Sequence, residues 1–286
     1  MPMDDLRVAA VCMTAEVGEV KKNLDRIESF VLEASLKRAD IICFPELSVT
    51  GYTLKRPTEV YDSYVPMKAT DRLIQMAKDA NVVVIAGVIE LSPGKKPYIV
   101  QVVAGPEGLM GLYRKTHLSP AEKEIYQSGQ EIKPYSFRKT TFGVEICYEA
   151  HFPEISTILS LMGADILFFP HASPKGDPKG KWQSWLRHLP GRAFDNGVFV
   201  VACNQVGKTV EGLSFPGVAL VLGPDGQTLD KYVGTGEGIL FADLKADHLR
   251  EIRQHRMKYF IPQRRPDLYK EIVKDDPWPR SRFQTA

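Results

Sequence analysis

Cysteine is scarce in this sequence, and no two cysteines form a C-x-x-C pair. The four cysteines among the 286 residues are Cys12, Cys43, Cys147 and Cys203. Thiols so few and so widely separated do not make a disulfide framework or a cysteine-based zinc site, and they fit a reducing compartment. We therefore expect a cytoplasmic protein without structural disulfides.

The sequence also lacks long hydrophobic runs and a large excess of positive or negative charge. No apolar stretch approaches the about 20 residues that a membrane-spanning helix needs. The first residues, 1–7, are acidic before a short apolar run, which is not the pattern of a signal peptide. A formal net charge of +2 gives no electrostatic reason to expect nucleic acid or a membrane surface as the partner. The expected partner is a small molecule.

Motifs that bind cofactors are missing as well. The chain contains no H-E-x-x-H, P-loop, G-x-G-x-x-G or EF-hand pattern. The sequence therefore predicts neither a metal nor an organic cofactor.

The chain does contain short apolar runs, which are typical of buried strands, and these alternate with segments whose apolar residues recur at helical spacing. The predicted strands cover residues 6–13, 41–44, 82–89, 98–103, 112–117, 142–146, 165–169, 198–203 and 218–222. The predicted helices cover residues 24–34, 73–77, 155–162 and 181–196, the last with a kink or break at Pro190 and Gly191. No repeat or linker interrupts this order, so we expect one domain over residues 1–286, with an α/β layered fold.

Cys147 stands apart from the other cysteines. It lies where the apolar run 142–146 stops and a helix begins a few residues later, whereas the other three lie inside predicted buried strands. Unpaired N–H groups at the start of a helix favour the ionised form of a thiol, which is the nucleophilic form. A small buried hydrophobe is the alternative interpretation of a single cysteine in an apolar run.

Two charged residues also draw attention. Glu46 ends the strand 41–44 as Cys147 ends the strand 142–146, and ligand sites of α/β sheets lie beyond the carboxyl ends of the strands. Lys115 lies within the predicted strand 112–117. A lysine on a strand is usually solvated, and the residues alone favour that interpretation of Lys115.

Three segments, in this order and at these separations, resemble the signature segments of the nitrilase superfamily of carbon-nitrogen hydrolases. They are residues 44–47 with 50–52, residues 113–118, and residues 143–149 with 152–154. Glu122, seven residues before Gly129, resembles the second glutamate of the family. Two residues depart from the pattern: Glu145 replaces an apolar or small residue, and Glu149 stands where the family often has aspartate. These departures bear on substrate preference.

The resemblance implies a four-layer αββα sandwich with mixed sheets, and a Glu-Lys-Cys triad of Glu46, Lys115 and Cys147 with Glu122 beside it. Cys147 would attack the substrate to form a thioester, and Glu46 would serve first as general base and then as general acid. Lys115 and the backbone N–H of Tyr148 would hold the oxyanion.

The resemblance further implies a homodimer or a larger even-numbered assembly. Residues 255–286 then form a C-terminal tail that packs on a neighbouring subunit. The expected substrate is a linear amide or an N-carbamoyl amine, with a nitrile as the alternative. A catalytically silent binding or assembly protein is the remaining alternative, although such a protein has no packing reason to keep a lysine and two glutamates around a thiol.

Several residues near these segments are candidates for substrate binding. They are Tyr52, Tyr148, His151 and His171. For His171 a pocket-lining position and a solvated loop are equally compatible with the sequence. The lysine-rich loop 173–181 is either a rim that attracts an acidic substrate or a solvated loop, and the sequence favours the solvated loop.

Overall fold

The computed structural model describes residues 3–55, 65–209 and 212–274 and has a mixed α/β fold. The strands are β1 Leu6–Cys12, β2 Ile41–Cys43, β3 Val83–Glu90, β4 Tyr98–Gly105, β5 Gly108–Arg114, β6 Tyr135–Phe137, β7 Thr140–Val144, β8 Ile166–His171, β9 Phe199–Asn204, β10 Gly207–Lys208, β11 Ser214–Phe215, β12 Gly217–Leu222, β13 Thr228–Gly234 and β14 Gly238–Leu244. The helices are α1 Val20–Leu36, α2 Val65–Ala80, α3 Pro120–Lys123, α4 Pro153–Leu161, α5 Pro178–Trp185, α6 Leu189–Asn196 and α7 Ala246–Gln254. Short 3-10 turns cover Cys147–His151, Ile261–Gln263, Pro266–Leu268 and Lys270–Val273.

Two six-stranded sheets form the centre of the molecule. The first sheet has the order β14-β1-β2-β3-β4-β5, and the second has the order β13-β12-β9-β8-β7-β6. Each sheet contains three parallel strands, β1-β2-β3 in the first and β7-β8-β9 in the second, flanked by antiparallel strands. Both sheets are therefore mixed, as predicted.

The apolar side chains divide into three clusters that define the layers. On β1, Val8 and Ala10 belong to the cluster shared by the two sheets, whereas Ala9 and Val11 belong to the cluster beneath α1 and α2. This division follows from the alternation of side chains along a strand. A third cluster joins the other face of the second sheet to α4, α5 and α6. The order helices, sheet, sheet, helices confirms the αββα sandwich.

The sequences of the outer helices explain how they pack and where they begin. The buried residues of α1 are Asn23, Ile27, Val31 and Ala34, spaced at three or four positions as in an amphipathic helix. Pro153 occupies the first turn of α4, where its missing N–H costs no hydrogen bond. Among the residues that the structure describes, no helix is both long and apolar enough to cross a membrane.

Two of the predicted element boundaries are wrong. The strand that was expected to run to His117 ends at Arg114, so Lys115 lies in the segment that follows β5. The helix predicted over 181–196, with a kink or break at Pro190 and Gly191, is indeed broken into α5 and α6. The break lies before Pro190, however, because this proline occupies the first turn of α6. Of the predicted tail, residues 275–286 lie outside the described residues.

Candidate active site

The Lys115 ammonium lies at the centre of a fully buried cluster of charges. Its Nζ donates to Glu46 Oε1 at 2.7 Å and to Glu122 Oε1 and Oε2 at 2.8 and 3.0 Å. Lys115 and Glu46 are 0% exposed and Glu122 is 2% exposed. The solvated position that the residues alone favoured for Lys115 is therefore wrong, because two carboxylates compensate its buried charge.

The Glu122 side chain is fixed by the start of α3. Its Oε2 accepts from the backbone N–H of Ser119 at 2.8 Å, and the Glu122 N–H donates to Ser119 Oγ at 3.4 Å, which together form a capping box. The Tyr52 hydroxyl donates to Glu122 Oε1 at 3.2 Å. Position 129 requires glycine, because a Cβ there would lie 2.2 Å from the carbonyl oxygen of Arg114, next to Lys115.

Glu46 is held from three directions at the carboxyl end of β2. Its Oε2 accepts from the backbone N–H of Ala172 at 3.0 Å, and its carbonyl oxygen accepts from Gln205 Nε2 at 2.8 Å. The turn that carries Glu46 approaches β3 so closely that a Cβ at Gly87 would lie 2.1 Å from the Leu47 nitrogen. Contacts from both sheets therefore fix the Glu46 backbone and one oxygen of its carboxylate.

Cys147 begins the 3-10 turn that follows β7. Its φ is +50°, a left-handed conformation that is uncommon for residues other than glycine and that occurs often at functional sites. Cys147 is partly exposed, whereas Cys12, Cys43 and Cys203 are buried in strands as predicted. The structure thus brings together a strained cysteine, a buried lysine and two glutamates, which are the four residues predicted for the catalytic set.

Burial and ion pairing act against each other in this cluster. Burial raises the pKa of Glu46, although Lys115 acts in the opposite direction. Burial of the sulfur also raises the pKa of the Cys147 thiol, although the residue as a whole is partly exposed, and the negative charge of Glu46 raises it further. Burial opposes the charged forms of Lys115 and Glu122 too. The attraction of Lys115 to Glu46 and Glu122 outweighs it, so the pKa of Lys115 is raised and that of Glu122 is lowered.

These shifts correct one expectation from the sequence. The N–H groups at the start of a helix were expected to favour the Cys147 thiolate, but burial and Glu46 shift the pKa upward. The thiol is therefore protonated before substrate arrives, and its proton has to be removed during attack. Glu46, an adjacent carboxyl with a raised pKa, is suited to accept it.

Glu149 connects the two segments that carry Lys115 and Cys147. Its Oε1 accepts from the backbone N–H of Thr116 at 2.7 Å, and its Oε2 accepts from the backbone N–H of Ile146 at 2.6 Å. Thr116 follows Lys115 and Ile146 precedes Cys147, so one buried carboxylate fixes the backbone on both sides of the cluster. The sequence showed Glu149 only as a departure from the family pattern and gave no sign of this contact.

The remaining predicted binding residues differ in their surroundings. His171 is buried at the end of β8, where its Nδ1 hydrogen-bonds to the Phe169 carbonyl at 2.8 Å and its ring lies 4.4 Å from Trp185, so the solvated loop is wrong for this residue. Burial lowers its pKa well below the usual range, and the ring is neutral. His151 is exposed, with its ring 5.6 Å from that of Tyr148. Contact of these residues with substrate stays a prediction.

Comparison with known proteins agrees with this geometry. The sequence profile of the carbon-nitrogen hydrolases matches residues 7–254. The chain belongs to this family.

Curated relatives of this carbon-nitrogen hydrolase have several names. A nitrilase from Pyrococcus abyssi is 32% identical over 270 residues, which cover 92% of this chain and 99% of the relative. An omega-amidase from Homo sapiens is 30% identical over 286 residues, which cover 95% and 99%. The relatives thus include enzymes named for nitriles and for amides, and the carbon-nitrogen hydrolase described here is similar to both.

A solved structure extends the comparison to the cysteine. In a variant of the amidase from Nesterenkonia sp. AN1, acrylamide has added to the active-site cysteine, and that chain matches this one with a TM-score of 0.77 and 26% identity over 87% of this chain and 96% of its own. The carbon-nitrogen hydrolase therefore shares its fold with a cysteine-dependent amidase. Within residues 3–55, 65–209 and 212–274, no group of three His, Cys, Asp or Glu side chains is arranged to hold a metal ion.

Proposed function

We propose that this carbon-nitrogen hydrolase cleaves a linear amide or an N-carbamoyl amine through a thioester on Cys147. The enzyme class follows from the family, and the relatives named as amidases support the choice of amide-type bonds. The observation that carries the mechanism is the Lys115 ammonium shared by Glu46 and Glu122 beside the partly exposed Cys147.

Acylation begins when Cys147 Sγ attacks the carbonyl carbon and its proton passes to Glu46. The carbonyl oxygen becomes an oxyanion, which the Lys115 ammonium and the backbone N–H of Tyr148 stabilise. Glu46 then returns the proton to the nitrogen as the C–N bond breaks. Ammonia or an amine leaves, and the acyl group remains on sulfur as a thioester.

Hydrolysis of the thioester repeats these steps with water. Glu46 takes a proton from the attacking water, with Glu122 keeping Lys115 charged and oriented. The C–S bond breaks, Cys147 regains its proton, and the acid is released. Because Glu46 has a raised pKa and changes between base and acid, one carboxyl serves both halves of the reaction.

The test is release of ammonia from a panel of linear amides, N-carbamoyl amines and nitriles, with wild type beside Cys147→Ala. We expect wild type to release ammonia from at least one amide or N-carbamoyl compound and Cys147→Ala to release none. Hydroxylamine should divert the acyl group to a hydroxamate, as expected of a thioester. Activity that survives in Cys147→Ala would refute the mechanism.

The nitrile alternative rests on the relative from Pyrococcus abyssi that is named a nitrilase. Attack of Cys147 on a nitrile would give a thioimidate, which water converts to the thioester with loss of ammonia. Faster turnover of nitriles than of amides across the same panel would favour this alternative over the amide.

A further inference from the structure

The segment 44–49, which carries Glu46, leaves the first sheet after only three residues of β2. Pro45 has no backbone N–H, so it cannot continue the hydrogen bonds of a strand. The backbone then turns at Leu47, whose φ of +52° lies in the left-handed region that favours glycine. The carbonyl oxygen of Phe44, a fully buried residue, is thereby left to find a donor outside the strand ladder.

The side chain of Gln101 supplies that donor, and its Nε2 lies 3.2 Å from the Phe44 carbonyl oxygen. Gln101 is 0% exposed and lies on β4, directly opposite Gly87 of β3. A Cβ at Gly87 would lie 2.5 Å from Gln101 Oε1, so the amide occupies space that only glycine leaves open. The Cys43 thiol also points at this oxygen, but at 3.7 Å and as a weak donor. Gln101 thus reaches from β4 across β3 to the end of β2.

Other contacts hold the same segment from both sheets. The Gly87 N–H donates to Ser48 Oγ at 3.0 Å, and the Gly87 carbonyl accepts from the Val49 N–H at 2.9 Å. From the second sheet, Gln205 donates to the Glu46 carbonyl at 2.8 Å. The backbone around Glu46 is therefore held between two buried glutamine amides, one on each side.

Gln101 is not the residue that packing alone would favour at this position. Its Oε1 has no hydrogen-bond partner among the residues that the structure describes. A buried amide oxygen without a donor is unfavourable, and an apolar side chain of similar length would avoid it. The orientation of the amide is nevertheless fixed, because only its nitrogen can donate to the Phe44 carbonyl. What the amide provides is one defined position of the segment.

We propose that Gln101 is a positioning residue for the reaction, which holds the segment 44–49 so that the Glu46 carboxylate meets the Cys147 thiol. This inference rests on the proposed function, in which Glu46 moves a proton in both halves of the reaction. Glu46 lies 2.7 Å from the Lys115 ammonium and 3.0 Å from the Ala172 N–H. A shift of the backbone that leads to Glu46 would disturb both contacts and the path of the proton.

Gln101→Met keeps the length of the side chain and removes the donor. It exchanges one unpartnered buried oxygen, Oε1, for another, the Phe44 carbonyl, so the melting temperature should stay close to that of wild type. With the substrate that wild type cleaves best, we expect kcat to fall by about 10- to 100-fold and KM to change much less. Small displacements of a catalytic group have effects of that size.

Asn196→Leu is the matched control. Asn196 is 2% exposed, its Nδ2 donates to the Arg192 carbonyl at 2.9 Å, and its Oδ1 is likewise unpartnered within the described residues. It lies on α6, in the outer helix layer, and has no contact with the segment 44–49 among the hydrogen bonds of the described chain. This variant should keep the wild-type kcat.

Gln101→Glu tests the donor itself. Burial raises the pKa of a carboxyl group, so near pH 6 the protonated side chain can donate to the Phe44 carbonyl, whereas the ionised form cannot. This variant should recover most of the lost kcat near pH 6 and lose it again, relative to wild type, as the pH rises past that pKa. The ratio of kcat in Gln101→Met to wild type should not change with pH. If Gln101→Met does not fold, the recovery in Gln101→Glu decides.

Three results would overturn the inference and leave the proposed function intact. They are a wild-type kcat in Gln101→Met, an equal loss of kcat in Asn196→Leu, and a Gln101→Glu variant that near pH 6 recovers nothing. If ammonia release by wild type does not depend on Cys147, the proposed function fails and the inference fails with it.

Discussion

Both oxygens of Glu122 accept hydrogen bonds from the Lys115 ammonium, at 2.8 and 3.0 Å. Glu124, two residues further along, is exposed. We therefore expect Glu122→Gln to lower turnover by about 100-fold or more, the effect of losing one positioned electrostatic group. Glu124→Gln should stay close to wild type.

Glutamine can replace glutamate in the capping box, so α3 should still form in Glu122→Gln. Melting temperatures close to that of wild type in both variants would assign the difference in turnover to the site. Full activity in Glu122→Gln, or loss of activity in Glu124→Gln, would contradict the assignment of Glu122.

Chemical modification should distinguish the cysteines. Cys147 is partly exposed and the other three are buried, so iodoacetamide should label Cys147 alone in the native protein. Because the pKa of this thiol is raised, labelling should accelerate as the pH increases through the neutral range. Peptide mapping measures the site of labelling, and modification of Cys12, Cys43 or Cys203 with activity intact would refute the prediction.

Glu149→Gln should impair catalysis without any change in a residue that contacts the reacting atoms. A glutamine has one accepting oxygen, so it cannot accept from both Thr116 and Ile146, and the two backbone segments lose their common anchor. We expect kcat to fall by about 100-fold, since small displacements of reacting groups have effects of that size. Steady-state kinetics with the best amide measure this, and a fall confined to KM would speak against a positioning role.

Glu145 should make stability depend on pH. It is fully buried, Ser156 Oγ donates to both of its oxygens at 2.7 and 3.0 Å, and burial raises its pKa well above 4.5. The folded protein therefore holds this proton more tightly than the unfolded chain. The resulting stabilisation is complete below pH 4.5 and is lost as the pH rises towards the folded pKa.

Glu145→Gln removes the titration and keeps the shape. We expect its melting temperature to exceed that of wild type by about 2–4 °C near pH 8, the effect of about 1 kcal/mol in a domain of roughly this size, and by less near pH 5. Glu154→Gln, an exposed site on the neighbouring helix, should show no such dependence. A lower melting temperature of Glu145→Gln near pH 8 would contradict the prediction.

The assembly state can be measured directly. Ile158, Leu161 and Met162, at α4 on the outside of the sandwich, are 40%, 52% and 50% exposed, and such apolar surface favours association. We expect a homodimer or a larger even-numbered assembly, so light scattering at micromolar concentration should give at least twice 32.0 kDa. A mass near 32.0 kDa would refute it.

Local sequence identified Glu46 and Cys147 because each lies just beyond the end of an apolar strand. Such a position can be predicted from a few neighbouring residues. It did not identify the burial of Lys115, which depends on Glu46 at a distance of 69 residues in the chain. Only the resemblance to a family supplied that partner. The pKa of Cys147 was misjudged for the same reason, since its direction is set by burial and by Glu46 rather than by the adjacent turn.

The pairing of β1 with β14 affects how the protein is made. All of β1, from Leu6 to Cys12, is hydrogen-bonded on one side to the strand that ends at Leu244. During synthesis on the ribosome, this apolar strand emerges long before its partner. One edge of the first sheet therefore remains open while most of the chain is translated, and an open apolar edge can pair with other chains. Glu46 and Lys115 lie in segments that follow strands of that sheet, so the sheet that supports them is completed only when β14 has been synthesised. Contacts of such long range close slowly.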